Sequence, residues 1–120
     1  MSSRCLNVAI VMGNLGNTPT INYTKDNDPV SNFNVATNKV YVNKKGEKIE
    51  STTWHKMVAW GKLAQYCANN LKKGDFVHIT GEIRIKQSVD ENGNRTETFE
   101  IVANRVIPII RSNKENKPEN

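Results

Sequence analysis

Only one stretch of this chain repeats with a helical period. Over residues 61–73, Leu63, Cys67 and Leu71 recur every four positions, with Ala64 and Ala68 beside them, so one helix face is apolar. Lys72 and Lys73 are expected in the last turn, where cations favour the carbonyl end, and Gly74 is a left-handed stop. The other segments alternate with a period of two. Residues 5–14 put Leu6, Val8, Ile10 and Met12 on one face of a half-buried strand, with Asn7, Ala9 and Val11 on the other. Residues 19–23 are extended, and 30–42 and 49–60 are long strands joined by the charged tip Asn43-Lys-Lys-Gly46-Glu47. Residues 76–86 alternate strictly, with Val77, Ile79, Gly81, Ile83 and Ile85 on one face. Asn92-Gly93 centres a second hairpin tip, and in 96–107 Phe99, Ile101, Ala103 and Ile107 share a face.

A doubly wound parallel sheet needs a helix after most strands, so this order argues against one. Five long strands with one helix between strands 3 and 4 predict an all-β, five-stranded OB-fold barrel. A small sandwich is the structural competitor. Gly81 suits the sharp bend of a closed barrel, and Gly13 and Gly16 mark a corner that another backbone approaches. The barrel is expected over residues 1–110. Residues 111–120 are polar, lack periodicity and are expected to be a disordered tail.

Length allows one domain with one core. Seventeen Lys and Arg against twelve acidic residues give a net charge of +5, which favours a polyanionic partner. Cys5 and Cys67 suggest no disulfide framework, and His55 and His78 are isolated, so no metal or other cofactor is expected. No apolar run reaches transmembrane length, no membrane partner is expected, and the first residues lack a signal-peptide core.

Residues 52–63 hold both tryptophans. Strand alternation puts Trp54, Lys56, Val58 and Trp60 on one face, with roughly 20 Å between the two indoles. Thr53, His55, Met57 and Ala59 take the other. A core strand is one reading. A lysine between two indoles favours a wet surface, and flat faces interleaved with cations suit single-stranded nucleic acid.

Gly13-Asn14-Leu15-Gly16 followed by Pro19 and Tyr23, Phe33-x-x-Ala36-Thr37, Gly46-Glu47, Thr53-Trp54-His55, Gly61-Lys62-Leu63-Ala64, Leu71-x-Lys73-Gly74 and Val77-x-Ile79-x-Gly81 together resemble the bacterial-type single-stranded DNA-binding protein family. Each piece alone is weak; their order and spacing over residues 4–106 are specific. The resemblance implies an OB-fold homotetramer that binds and protects single-stranded DNA without sequence preference during replication, recombination and repair, and catalyses nothing. It makes Tyr41, Trp54 and Trp60 stacking positions, on a surface expected to run to Tyr41 and stop short at Ser88. It makes Lys44, Lys56, Lys62, Lys73, Arg84 and Lys86, with Arg4 as a further candidate, the phosphate-tracking cations. His55 matches a subunit-contact position, and Asn7, on the expected outward side of the first strand, is placed at the same interface.

Two departures matter. Ser88 stands where the family often has a further tryptophan, which removes one stacking platform. Many members also end in an acidic, phenylalanine-tipped tail that recruits replication and repair proteins. This chain ends Lys117-Pro-Glu-Asn120, so recruitment by that route is not inferred. A cytoplasmic, nucleoid-associated location is expected of a bacterial member; a phage, plasmid or organelle-type origin stays open. Two other functions remain as alternatives. One is an accessory or RNA-binding OB module acting mainly through protein contacts. The other is a small nuclease, although the acidic residues form no recognisable metal cluster by spacing.

Overall fold

The computed structural model describes residues 4–109; the expected tail at 111–120 lies outside them. In chain order the elements are β1 (Ala9–Leu15), β2 (Thr20–Tyr23), β3 (Pro29–Val42), β4 (Lys48–Trp60), α1 (Lys62–Asn70), β5 (Phe76–Val89) and β6 (Arg95–Pro108). The two long hairpins form where the turn chemistry allows. Asn43 Oδ1 accepts hydrogen bonds from the N–H groups of Lys45 and Glu47, and Asp90 Oδ1 does the same for Asn92 and Asn94. These bonds hold the Asp90 carboxyl below its ordinary range, the backbone N–H of Asn94 most of all.

The strands run β1-β5-β6-β4-β3, and β1 returns to β3 through Asn14 opposite Ala36 and Leu15 opposite Val35. That contact closes a five-stranded barrel and excludes a sandwich. β4 and β6 are parallel and pair only at Met57–Ile101 and Val58–Val102. β2 is a short edge strand on β3. With β2 counted, the helix falls between the fourth and fifth strands; among the five barrel strands it falls between the third and fourth.

Inside the barrel Val11, Leu15, Phe33, Val35, Met57, Ala59, Val77, Ile79 and Ala103 form one core, which Ala64, Cys67 and Leu71 close at one end. Each fully buried Val, Leu, Ile, Phe or Met contributes about 1.5–3 kcal/mol relative to an exposed one. The Cys67 thiol has no exposure, and burial pushes its pKa up to about 11.

Four local readings are corrected. The apolar row Leu6, Val8, Ile10 and Met12 faces outward; the buried face of β1 is Val11, Gly13 and Leu15. Residues 5–8 lie outside β1, whose ladder with β5 begins at Ala9. The helix stops at Asn70, so Lys72 and Lys73 lie beyond its last turn and Gly74 (φ 94°) belongs to the following turn. In β6 the pairing shifts between Thr80–Arg105 and Gly81–Ala103, leaving Asn104 as the extra residue. A one-residue bulge exchanges the faces beyond it, so Val106 packs on the core and Ile107 turns outward. Gly81 sits at that bulge because the Val102 carbonyl occupies the space a Cβ would need.

Candidate nucleic-acid interface

The β3–β4 hairpin carries the tryptophan face. Its pairing runs from Val30 opposite Trp60 to Val42 opposite Lys48 without a break, so directly opposed residues share a face. The outer face therefore aligns Asn32 with Val58, Asn34 with Lys56, Ala36 with Trp54 and Asn38 with Thr52. An asparagine column lies beside an aromatic and cationic one. Phe33, Val35, Met57 and Ala59 take the inner face and anchor the sheet in the core.

Trp54 is 59% exposed and Trp60 44% exposed, so both indoles offer surface to solvent. The Trp54 ring reaches across β3 to Gly16, whose N–H donates to the Asn34 carbonyl. The corner at residues 13–16 thus serves two approaches. Gly13 admits the Ala36 carbonyl and Gly16 admits the indole. Asn17 then fixes the corner, its Oδ1 accepting from the Asn34 N–H at 2.9 Å.

Beside this face a groove of about 400 Å³ runs between the hairpin and the β5–β6 arm. Asn17, Asn32, Asn34, Lys56, Lys86 and Ser88 line it, with Val58, Thr98 and Glu100 among the others. Asparagine amides supply both donors and acceptors, and the two ammonium groups supply donors suited to phosphate. The groove can hold a polar, anionic chain next to open aromatic faces.

Not every candidate joins this surface. Unbroken alternation puts Tyr41, opposite Ile49, on the other face of the ribbon from Trp54 and Trp60. Its ring carries the Lys39 ammonium at 5.8 Å from the centroid. Lys44 lies in the hairpin turn, and Lys62 opens α1 two residues after Trp60. Lys73 is held near the glycine corner, its N–H donating to Thr18 Oγ1 at 3.0 Å. Arg84 lies opposite Glu100 on the arm, and Arg4 is exposed before β1. Ser88 Oγ is 3.2 Å from Thr96 Oγ1.

His55 and Asn7 both have partners within the chain. His55 is half-buried on the core-side face, with Nε2 2.9 Å from Thr37 Oγ1. Asn7 mimics a ladder residue: its Nδ2 donates to the Ile83 carbonyl and its Oδ1 accepts from the Ile83 N–H. Among the described residues, no three His, Cys, Asp or Glu side chains are grouped to hold a metal ion. No described helix is long and apolar enough to cross a membrane.

Sequence reasoning passed over Asn17, Asn32 and Asn34. The signal was present for two of them, since Asn32 and Asn34 alternate with Phe33 and Val35; only the register shows that they stand beside Trp54 and Lys56.

The model of the single-strand binding protein family matches residues 6–109. A single-stranded DNA-binding protein of Caldanaerobacter subterraneus subsp. tengcongensis is 44% identical over 101 residues, which is 84% of this chain and 66% of that protein. The chain thus spans just under two thirds of that relative's length. Two solved structures share the fold. One, a Plasmodium falciparum SSB complex with ssDNA, superposes with a TM-score of 0.81 at 23% identity, covering 92% of this chain and all of that one. The other, a deletion mutant of the single-stranded DNA binding protein from Thermus aquaticus, gives 0.77 at 20% identity, covering 89% of this chain and 52% of that one.

Proposed function

The chain belongs to the single-strand binding protein family, which is defined by binding and not by catalysis, and on that premise we propose that it binds single-stranded DNA without sequence preference through the outer face of β3–β4. The observation that carries this is the pairing of an open tryptophan–lysine column with an asparagine column above a groove holding Lys56 and Lys86. Electrostatic capture comes first. Cations along the groove displace the counterions of the phosphates. Bases of any identity then stack on Trp54 and Trp60, each contributing about 1–3 kcal/mol. A duplex keeps its bases stacked on one another and cannot use those faces, which produces selectivity for single strands.

Lys62, Lys73 and Lys44 extend the phosphate path to the two ends of the hairpin, Arg84 continues it along the arm, and Arg4 adds charge before β1. Tyr41 receives a base only after the strand rounds the ribbon to its other face. Assembly as a homotetramer lets one strand visit several such paths, which multiplies weak contacts. The outward apolar row Leu6, Val8, Ile10 and Met12 supports self-association, because a soluble monomer gains nothing from exposing it. Asn7 holds the segment bearing that row against β5, and His55 stiffens the hairpin behind it; both act at the subunit contact by shaping it. Protection of single strands during replication, recombination and repair, within a cytoplasmic nucleoid, follows from this reading for residues 1–110 as the binding domain. Sedimentation with dT oligomers of graded length tests it. A tetramer that takes up fewer oligomers, in steps, as their length increases supports the reading. A monomer that sediments unchanged with every oligomer would contradict it.

A further inference from the structure

The outward face of the β1–β5–β6 sheet carries a histidine in apolar surroundings. Val77 and Ile79 of β5 are fully buried, so strand alternation turns Phe76, His78 and Thr80 outward. The register sets His78 directly opposite Met12 of β1 and Ile107 of β6, with Ile10 and Arg105 opposite Thr80. Opposed residues share a face. Ile10, Met12 and Ile107 are exposed, and His78 is half-buried among them. Its Nδ1 is closed off from solvent and has no hydrogen-bond partner among the described residues.

That bare nitrogen makes the ring sensitive to protons. A neutral imidazole donates from one nitrogen and accepts at the other, whereas an imidazolium donates from both. Protonation therefore puts an N–H donor, and a charge, where nothing accepts it, and this is the costlier state. His55 differs. Its Nε2 lies 2.9 Å from Thr37 Oγ1, and a hydroxyl can rotate to donate or accept, so that ring is served in either state. The neighbouring strands offer His78 no carboxylate. From β1 the face receives Ile10, Met12 and Asn14, and from β6 Arg105 and Ile107, of which only Arg105 is charged, with the same sign as an imidazolium. On β5 itself the next acid on this face is Glu82, roughly 13 Å along the strand.

We propose that His78 makes self-association through this face sensitive to pH: the neutral ring packs beneath the apolar row of a second copy, and its protonation drives the copies apart. The inference rests on the self-association proposed above and not on the strand-binding reading. Ile10 and Met12 belong to the outward row already assigned to that contact, so a second copy is the occupant of this face. It brings the same apolar residues and the same Arg105, and it strips the remaining water from the ring. Imidazole ordinarily takes up its proton between about pH 5 and 8. Association favours the neutral ring, so the contact is at full strength above that window and is lost as the pH falls through it. At the acid end, each ring that must shed a proton costs about tenfold in the association constant per pH unit, and a tetramer contains one such ring in every subunit.

Sedimentation of the native full chain, His78→Phe and His78→Gln from pH 8 to pH 5, without DNA, is the test. The native chain should be a tetramer at pH 8 and shift to smaller, still folded species at pH 5, with circular dichroism reporting the fold. A variant that assembles should keep its mass across the same range, because carboxylates and His55 titrate in all three proteins. The His78 ring proton resonance, identified by its loss in either variant, should hold its neutral position while the native chain is tetrameric and move only as the mass falls. This resonance decides the matter even if neither variant assembles. A native tetramer unchanged at pH 5, or a His78 ring that protonates inside the intact tetramer, overturns the switch and leaves self-association standing. Equal acid dissociation in an assembled variant assigns the titration to another group and overturns it too. A native chain that is monomeric at pH 8 removes the switch and the self-association together, while oligo-dT quenching at pH 8 reads the strand-binding face independently.

Discussion

The Trp54 indole rests on Gly16. A Cβ built on Gly16 would lie 3.1 Å from Cη2 and 3.2 Å from Cε3 of that ring, and closer still to Cζ3. The side chain proposed to offer a face to a base is thus seated on a residue thirty-eight positions away that has no side chain of its own. A single added methyl should lift the indole from its seat. Gly16→Ala is expected to weaken oligo-dT binding by up to the cost of Trp54→Ala, about 1–3 kcal/mol. The double variant should then cost little more than either single one, because both act on one interaction. Fluorescence titration of the three variants measures this, and additive losses would show that Gly16 does not act through Trp54.

Tyr41 and Trp54 should respond differently to oligomer length. They occupy opposite faces of the hairpin, so a short strand on the tryptophan face cannot reach Tyr41. Trp54→Ala should weaken oligomers of every length. Tyr41→Ala should leave the shortest binding oligomers unaffected and weaken only those long enough to round the ribbon. Equal losses for both variants at the shortest length would show that the strand contacts both faces from the start.

Much of the element order is legible in the residues, and most of what is not depends on which face turns inward. Period-two alternation locates the strands to within a few residues, and the Leu63–Cys67–Leu71 spacing locates the only helix among the described residues. Alternation alone does not state a strand's inward face. In β1 the more apolar row, Leu6 to Met12, faces out, and the core takes Val11 and Leu15. Nor does it reveal the extra residue Asn104, which moves Ile107 outward and Val106 in. At the site, the local pattern is enough to place Trp54, Lys56 and Trp60 together. The same parity, counted through the unbroken β3–β4 register, separates Tyr41 from them. The seat at Gly16 joins segments distant in the chain, and no local period records such a contact.

Salt dependence should report the groove directly. Lys56 and Lys86 line it together, so each is expected to neutralise one phosphate. Lys56→Ala and Lys86→Ala should each reduce the slope of log affinity against log salt by about 1, without changing the preference among bases. An unchanged slope for either variant would place that lysine off the phosphate path.

Alkaline stability should report Cys67. The core accepts the neutral thiol, whose pKa is raised by burial from an ordinary 9.0 to about 11. The folded state therefore holds the proton more tightly than the unfolded chain. This contribution is complete below pH 9.0 and is lost as the pH rises through about 11. Denaturant unfolding of the native chain and Cys67→Ala across pH 8–11 isolates it from the lysines and tyrosines common to both. The native chain should lose stability more steeply, and parallel curves would contradict the assignment.

The central claim is that open indoles on the β3–β4 face select unpaired bases. Tryptophan fluorescence titrated at low salt with oligo-dT, and with a blunt duplex of equal length, tests it most directly. The single strand should quench strongly and bind much more tightly than the duplex, and Trp54→Ala with Trp60→Ala should abolish most of that difference. Equal quenching and equal affinity for the duplex, or an unchanged preference in the folded double variant, would contradict it.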